Sequence, residues 1–206
     1  MNTAVSWKNN YKSRSVRYQL LFSVIILAVV LHFYSGFLNY VEVREGFSFK
    51  DPVLGLIKPV DLTWLIFISI YLSLIAGIVI LVRNPLQLTL TIQVYIVLIL
   101  VRIIAMYSVP FNPPPDMIPL NDPFVQFFGT GKLLTKDLFF SGHTATLFLL
   151  YLVMEKKAYR RIFLMLTLVV AVSVIIQHVH YFIDVFAAPF FTFACYKMVR
   201  GIRVRL

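Results

Sequence analysis

The chain has 206 residues, of which 60% are apolar and 14% charged, and its formal net charge is +10. Soluble domains carry about 25% charged residues, so this chain lacks the polar surface to cover itself in water and its apolar excess must face lipid. A single cysteine, Cys195, excludes an internal disulfide, and no glycine-rich phosphate loop, zinc-type cysteine pair or internal repeat is visible.

A helix that crosses a bilayer needs about 20 mostly apolar residues. A basic segment, 1–17, precedes the first predicted span, 18–38, which carries no charge and lacks a small-residue cleavage site, so it is expected in the mature chain. A polar loop, 39–61, leads to a second charge-free span, 62–82, and a third follows over 86–107 with Arg102 near its end. The next loop, 108–139, holds Pro110, Pro113, Pro114, Pro115 and Pro119. Proline breaks helices, so this loop is an irregular cap of the length that functional lids have. A fourth span, 140–154, ends before Glu155-Lys156-Lys157; a fifth covers 162–177 and a sixth 181–199, before a basic tail, 200–206. The fourth and fifth are short, and flanking Lys156, Lys157, Arg160 and Arg161 can snorkel to lengthen them. The expected fold class is all-α: a polytopic membrane protein with a six-transmembrane-helix bundle over 18–199, forming one catalytic domain.

Positive charge orients such a bundle. With six spans both termini share one side, which then holds 13 Lys and Arg against Glu155 alone; the other side holds six Lys and Arg against eight Asp and Glu. Both termini are therefore expected in the cytoplasm. The basic excess is topological and meets anionic lipid headgroups, not nucleic acid.

Ionisable residues within membranes are functional hypotheses by default. Two clusters stand out: Asp137, Ser141, Gly142, His143 and Thr144 at the start of the fourth span, and Gln177, His178, His180, Tyr181 and Asp184 at the start of the sixth. Both spans start on the non-cytoplasmic side, so the clusters share one depth. His180 and Asp184 are four apart and fall on one helical face, where a carboxylate sets the imidazole's tautomer and raises its basicity. Ser141-Gly142 offers an N-cap and room for close backbone approach, and helix N-termini attract phosphate. His143 can supply or remove a proton. The set suits a phosphate ester, with one histidine as nucleophile, one as acid/base and a carboxylate as orienter. His32 reads as a tolerated polar group, Tyr107 as an interface aromatic and Cys195 as a packing residue. His178 stands between site wall and interface residue. Arg102 reads either as a phosphate contact or as a snorkelling residue. Asp137 reads as an orienter of His143, a head-group partner or a loop charge.

Asp137-x3-Ser141-Gly142-His143-Thr144 resembles the first catalytic motif of sphingomyelin synthases and related lipid phosphotransferases. His178-Val179-His180-Tyr181-Phe182-Ile183-Asp184-Val185 resembles their second. Arg102-Ile-Ile-Ala-Met106-Tyr107 is similar to a segment of their third span. The resemblance covers roughly residues 95–196 and the six-span plan, within the wider type-2 phosphatidic acid phosphatase superfamily. The first motif opens Thr135-Lys136-Asp137 where the family has Cys-Gly-Asp, an aromatic downstream of the second motif is replaced around Pro189, and the proline-rich segment of the first loop is not clear. The superfamily's phosphatase branch carries Lys-x6-Arg-Pro and an arginine six residues before the second histidine. Here that position is Val174 and the first pattern is missing. A dianionic monoester wants such cations, so their lack favours a diester.

The resemblance implies both termini in the cytosol, a site on the exoplasmic face, catalytic His143, His180 and Asp184, and substrate contacts from Asp137, Ser141, Gly142, Arg102, Tyr181 and His178. The expected partners are a phospholipid donor and a lipid alcohol acceptor such as ceramide, in the bilayer, with diacylglycerol released and no cofactor or metal required. Three other functions share these residues: a hydrolase of phospholipase C or lipid phosphatase type, a non-catalytic lipid transporter or scaffold, and an acyl-CoA diphosphatase of the fat-storage type.

Overall fold

The computed structural model describes residues 13–120 and 134–205. Lys8, Lys12 and Lys132 of the charge argument, and residues 121–133 of the proline-rich loop, lie outside the described residues. All regular secondary structure among the described residues is helical: α1 (Arg14–Val43), α2 (Thr63–Leu81), α3 (Pro85–Ser108), α4 (Gly142–Val153), α5 (Lys157–Ile176) and α6 (Phe182–Arg205), with a short 3-10 turn at Leu54–Leu56. In lipid the backbone must satisfy its own hydrogen bonds, which is why long apolar runs become helices. Five of the six are long and apolar enough to cross a membrane.

The exception is α4, with 12 residues. At 1.5 Å per residue it is about 18 Å long, short of the roughly 30 Å hydrocarbon core. Its position explains the shortfall: α4 packs on α2, α3, α5 and α6, so its ends meet protein rather than lipid. The approach to it, residues 134–141, is irregular backbone, tolerated because it is enclosed by protein; Leu138, Phe140 and Ser141 in it are buried. Close approach is enforced at Gly77 of α2, where a Cβ would sit 2.8 Å from Leu150 Cδ2 of α4.

The helices also begin and end at other residues than the hydropathy pattern predicts. α1 starts four residues earlier and α5 starts at Lys157 rather than 162, because Lys and Arg extend an apolar helix by placing their charges at its ends; α1 also runs five residues further, to Val43. α1 lies at the edge of the bundle and packs chiefly on α3, where Gln93 Nε2 donates to Ser23 Oγ at 3.2 Å.

Both long loops meet at one end of the bundle. Phe47 N–H donates to Pro110 O and Asn112 N–H to Phe47 O. Gly46 is needed at this crossing, since a Cβ there would lie 2.7 Å from Pro110 O. Gln177, fully buried at the end of α5, ties both loops down: its Oε1 accepts from Leu62 N–H and its Nε2 donates to Thr63 Oγ1 and Ile118 O. The starts of α4 and α6 join at the same end, Ser141 N–H donating to Asp184 O at 3.0 Å.

Candidate active site

Two helix starts position the histidines. Ser141 is the N-cap of α4, its Oγ accepting from Thr144 N–H. His143 thus sits in the first turn, where the helix macrodipole is positive. In α6 the carboxylate of Asp184 does two jobs. Its Oδ2 accepts from Tyr181 N–H at 3.2 Å, half of a capping box, and lies 3.4 Å from His180 Nδ1. That contact directs the Nδ1 proton to the carboxylate and leaves Nε2 with the lone pair. The His143 and His180 ring centroids are 6.0 Å apart at 67°, on the order of two near-attack distances of about 3–3.5 Å. His180 and Asp184 are buried.

Behind the histidines lies an ionic hub. Arg102 Nε donates to Phe140 O at 3.0 Å, Nη1 to Tyr34 Oη and Nη2 to Asp137 Oδ1 at 2.7 Å. Tyr34 Oη also donates to Asp137 Oδ1 at 3.2 Å. The guanidinium lies against Gly142, where a Cβ would stand 2.5 Å from Nη1. Gly142 is therefore the space into which Arg102 fits. Burial acts to raise the Asp137 pKa, but the Arg102 charge, with His180 and His143 nearby, outweighs it and holds the carboxyl below its ordinary value.

The structure brings His143, His180, Asp184, Ser141, Gly142, Arg102 and Asp137 together. It sends the side chains of His178 and Tyr181 into the loop cap. His178 closes α5 in the left-handed conformation, φ 56°. Its N–H donates to Ile175 O, and Val179 N–H to Val174 O, the two bonds of a Schellman motif. Its ring nitrogens face Pro115 O at 3.3 Å and Ile57 O at 3.1 Å. Tyr181 is fully buried, stacked on Phe49 with 4.3 Å between centroids, and its hydroxyl donates to Asn112 O.

Several supporting residues escape sequence reasoning. Tyr34 stands 68 positions before Arg102, with no spacing to link them. Glu42, at the end of α1, accepts from the backbone N–H groups of Thr135 and Lys136 and from the Thr135 hydroxyl, anchoring the segment that carries Asp137. Asp51 reads in sequence as one more loop charge, yet it is buried. Its Oδ1 accepts from Val53 and Leu54 N–H, and its Oδ2 from Phe182 N–H at 2.7 Å, so the first loop caps α6. The only available signal was an acidic residue in a loop of an apolar chain.

Among the described residues no group of three or more His, Cys, Asp and Glu side chains is disposed to hold a metal ion. The charge of Arg102, the buried cation beside the histidines, is balanced by Asp137.

No curated protein matches the chain. The family model described as PAP2 superfamily C-terminal matches residues 136–201, which run from just before Asp137 into α6 and include both histidines and Asp184. Over these residues, which are less than half of its length, the chain is similar to the type-2 phosphatidic acid phosphatase superfamily, whose members are typically enzymes acting on phosphate esters.

Proposed function

We propose that the protein is a membrane lipid phosphotransferase that moves a phospho-head group from a phospholipid to a lipid alcohol such as ceramide. The observation that carries this reading is the pairing of His143 and His180 at 6.0 Å, with Asp184 behind His180. His180 Nε2 attacks phosphorus while His143 protonates the departing diacylglycerol oxygen, and the phosphorus–oxygen bond breaks. A phosphohistidine carrying the head group results. The acceptor hydroxyl then gives its proton to His143, its oxygen bonds phosphorus, and the nitrogen–phosphorus bond breaks. Asp184 keeps His180 in the reactive tautomer and balances the charge it gains.

Arg102 and Asp137, 2.7 Å apart, offset each other. The net positive field is modest, which suits a phosphodiester with one negative charge better than a dianionic monoester. In this reading Gly142, Ser141 and the Arg102–Asp137 hub hold the α4 turn against the phosphate, while His178 and Tyr181 brace the loops over it. Both termini lie in the cytoplasm and the site opens on the exoplasmic face, as the distribution of Lys and Arg supports.

The test is a transfer assay on purified protein in mixed vesicles, offering ceramide or diacylglycerol with a panel of phospholipid donors and reading products by lipid mass spectrometry. The expected result is a new head-grouped lipid that requires intact His180. Free phosphorylated head group instead makes the site a hydrolase. Neither product across the panel favours a non-catalytic transporter or scaffold.

A further inference from the structure

Beside the catalytic cluster a groove of about 320 Å3 runs between α5 and α6. These two helices touch each other at few points, while each packs closely on α4, so the groove is built into the helix packing. Phe182, Phe186 and Phe190 of α6, four apart and hence on one face, form one wall. Their rings follow one another at 5.9 and 5.2 Å and are partly exposed. Leu164, Leu168 and Ile175 of α5 form the other. Thr144 and Phe148 of α4 are the floor. The two hydroxyls at the groove are satisfied internally, Thr144 by Ser141 Oγ and Thr167 by Phe163 O, so the surface offered is apolar.

Two features identify the occupant. From Leu164 to Ile175 the α5 wall rises about 16 Å, close to the hydrocarbon depth of one leaflet, about 15 Å. The groove also ends at the site: Thr144 follows His143, and Phe182 lies two residues after His180. We propose that the groove holds one acyl chain of the phospholipid donor and sets the depth at which its phosphorus meets His143 and His180, a role that rests on the phosphotransfer reading. The donor is the occupant because its phosphorus must be in place when His180 attacks. Lipid tails are already in an apolar medium, so leaving water does not drive the chain in. What the groove supplies is register, holding the reacting atoms at near-attack separation.

The experiment uses the full chain in vesicles of phosphatidylcholine and phosphatidylethanolamine, doped with either phospholipid carrying a diazirine near the top or near the end of one chain. After irradiation, labelled residues are mapped by mass spectrometry. The upper probe is expected at Ile175 and Phe182 and the terminal probe at Leu164 and Phe190, saturating with mole fraction. Labelling of Leu72, which is exposed on the surface of α2, should rise linearly. Ala171→Trp should remove the saturable component alone. Linear labelling at all sites, labelling indifferent to Ala171→Trp, or labelling by a photoreactive lipid alcohol but not by a phospholipid overturns the proposal. Should Ala171→Trp fail to fold, Leu164→Trp shortens the groove from its deep end and should shift donor preference toward shorter chains by about tenfold or more; unchanged preference overturns it. Saturable labelling without transfer would leave the groove standing and count against the phosphotransfer reading instead.

Discussion

Gly142→Ala offers the sharpest test of the ionic hub. The added methyl would lie 2.5 Å from Arg102 Nη1 and 2.8 Å from its Cζ. Ordinary separation is about 3.5 Å, so the guanidinium must retreat by about 1 Å. It cannot do so freely, because Phe140 O, Tyr34 Oη and Asp137 Oδ1 hold it. Loss of one such charged hydrogen bond costs about 1.5–3 kcal/mol, and the better helix propensity of alanine returns up to about 1 kcal/mol. The expected net destabilisation is about 1–2 kcal/mol, or roughly 2–8 °C in the unfolding midpoint of a chain this size. The same retreat drags on Phe140 and the α4 turn that carries His143, and a 1 Å misplacement costs about 100-fold in rate. Transfer turnover should therefore fall about 10- to 100-fold. The assay is a thermal midpoint and a turnover number for Gly142→Ala alone and in an Arg102→Ala, Asp137→Asn background. There the obstacle is gone, so the stability cost should vanish, a non-additivity of the size seen for contacting residues. An equal cost in both backgrounds, or no cost in either, would refute the reasoning.

Asp184→Asn should lower turnover by about 100-fold or more through loss of imidazole orientation, while costing only about 1 kcal/mol of stability through the weakened cap; turnover and thermal midpoint are measured together. Asp51→Ala removes the acceptor of three N–H groups, of which that of Leu54 is buried and those of Val53 and Phe182 partly so, and should destabilise by about 1–3 kcal/mol, with faster proteolysis of the first loop as a second readout. Asp137 has a depressed carboxyl pKa in the folded protein. Its contribution is therefore fully present above the unfolded value of about 3.9 and is lost as pH falls through the lower folded value. Thermal midpoints from pH 5 downward should show an acid limb that Asp137→Asn reduces, and an identical limb in the variant would contradict the pairing with Arg102.

Much of the architecture was legible without coordinates because the bilayer allows few solutions. Charge-free runs such as 18–38 and 62–82 became α1 and α2 since a lipid-exposed backbone has no other hydrogen-bond partners. His180 and Asp184 were legible as a pair because the helix period places residues four apart on one face. Tertiary structure alone decided what lies far apart in sequence. Tyr34, Glu42 and Asp51 carry no local pattern, yet they hold Arg102, the Asp137 segment and the start of α6. α4 is short because four helices enclose it, a consequence of packing that hydropathy does not express. His178 and Tyr181 share a motif with His180 but turn away from it, because the left-handed residue that ends α5 reverses the chain within two positions. Local periodicity thus determined which residues form each face, while the meeting of α1, α3, α4 and α6 at one end of the bundle decided which of those faces make the site.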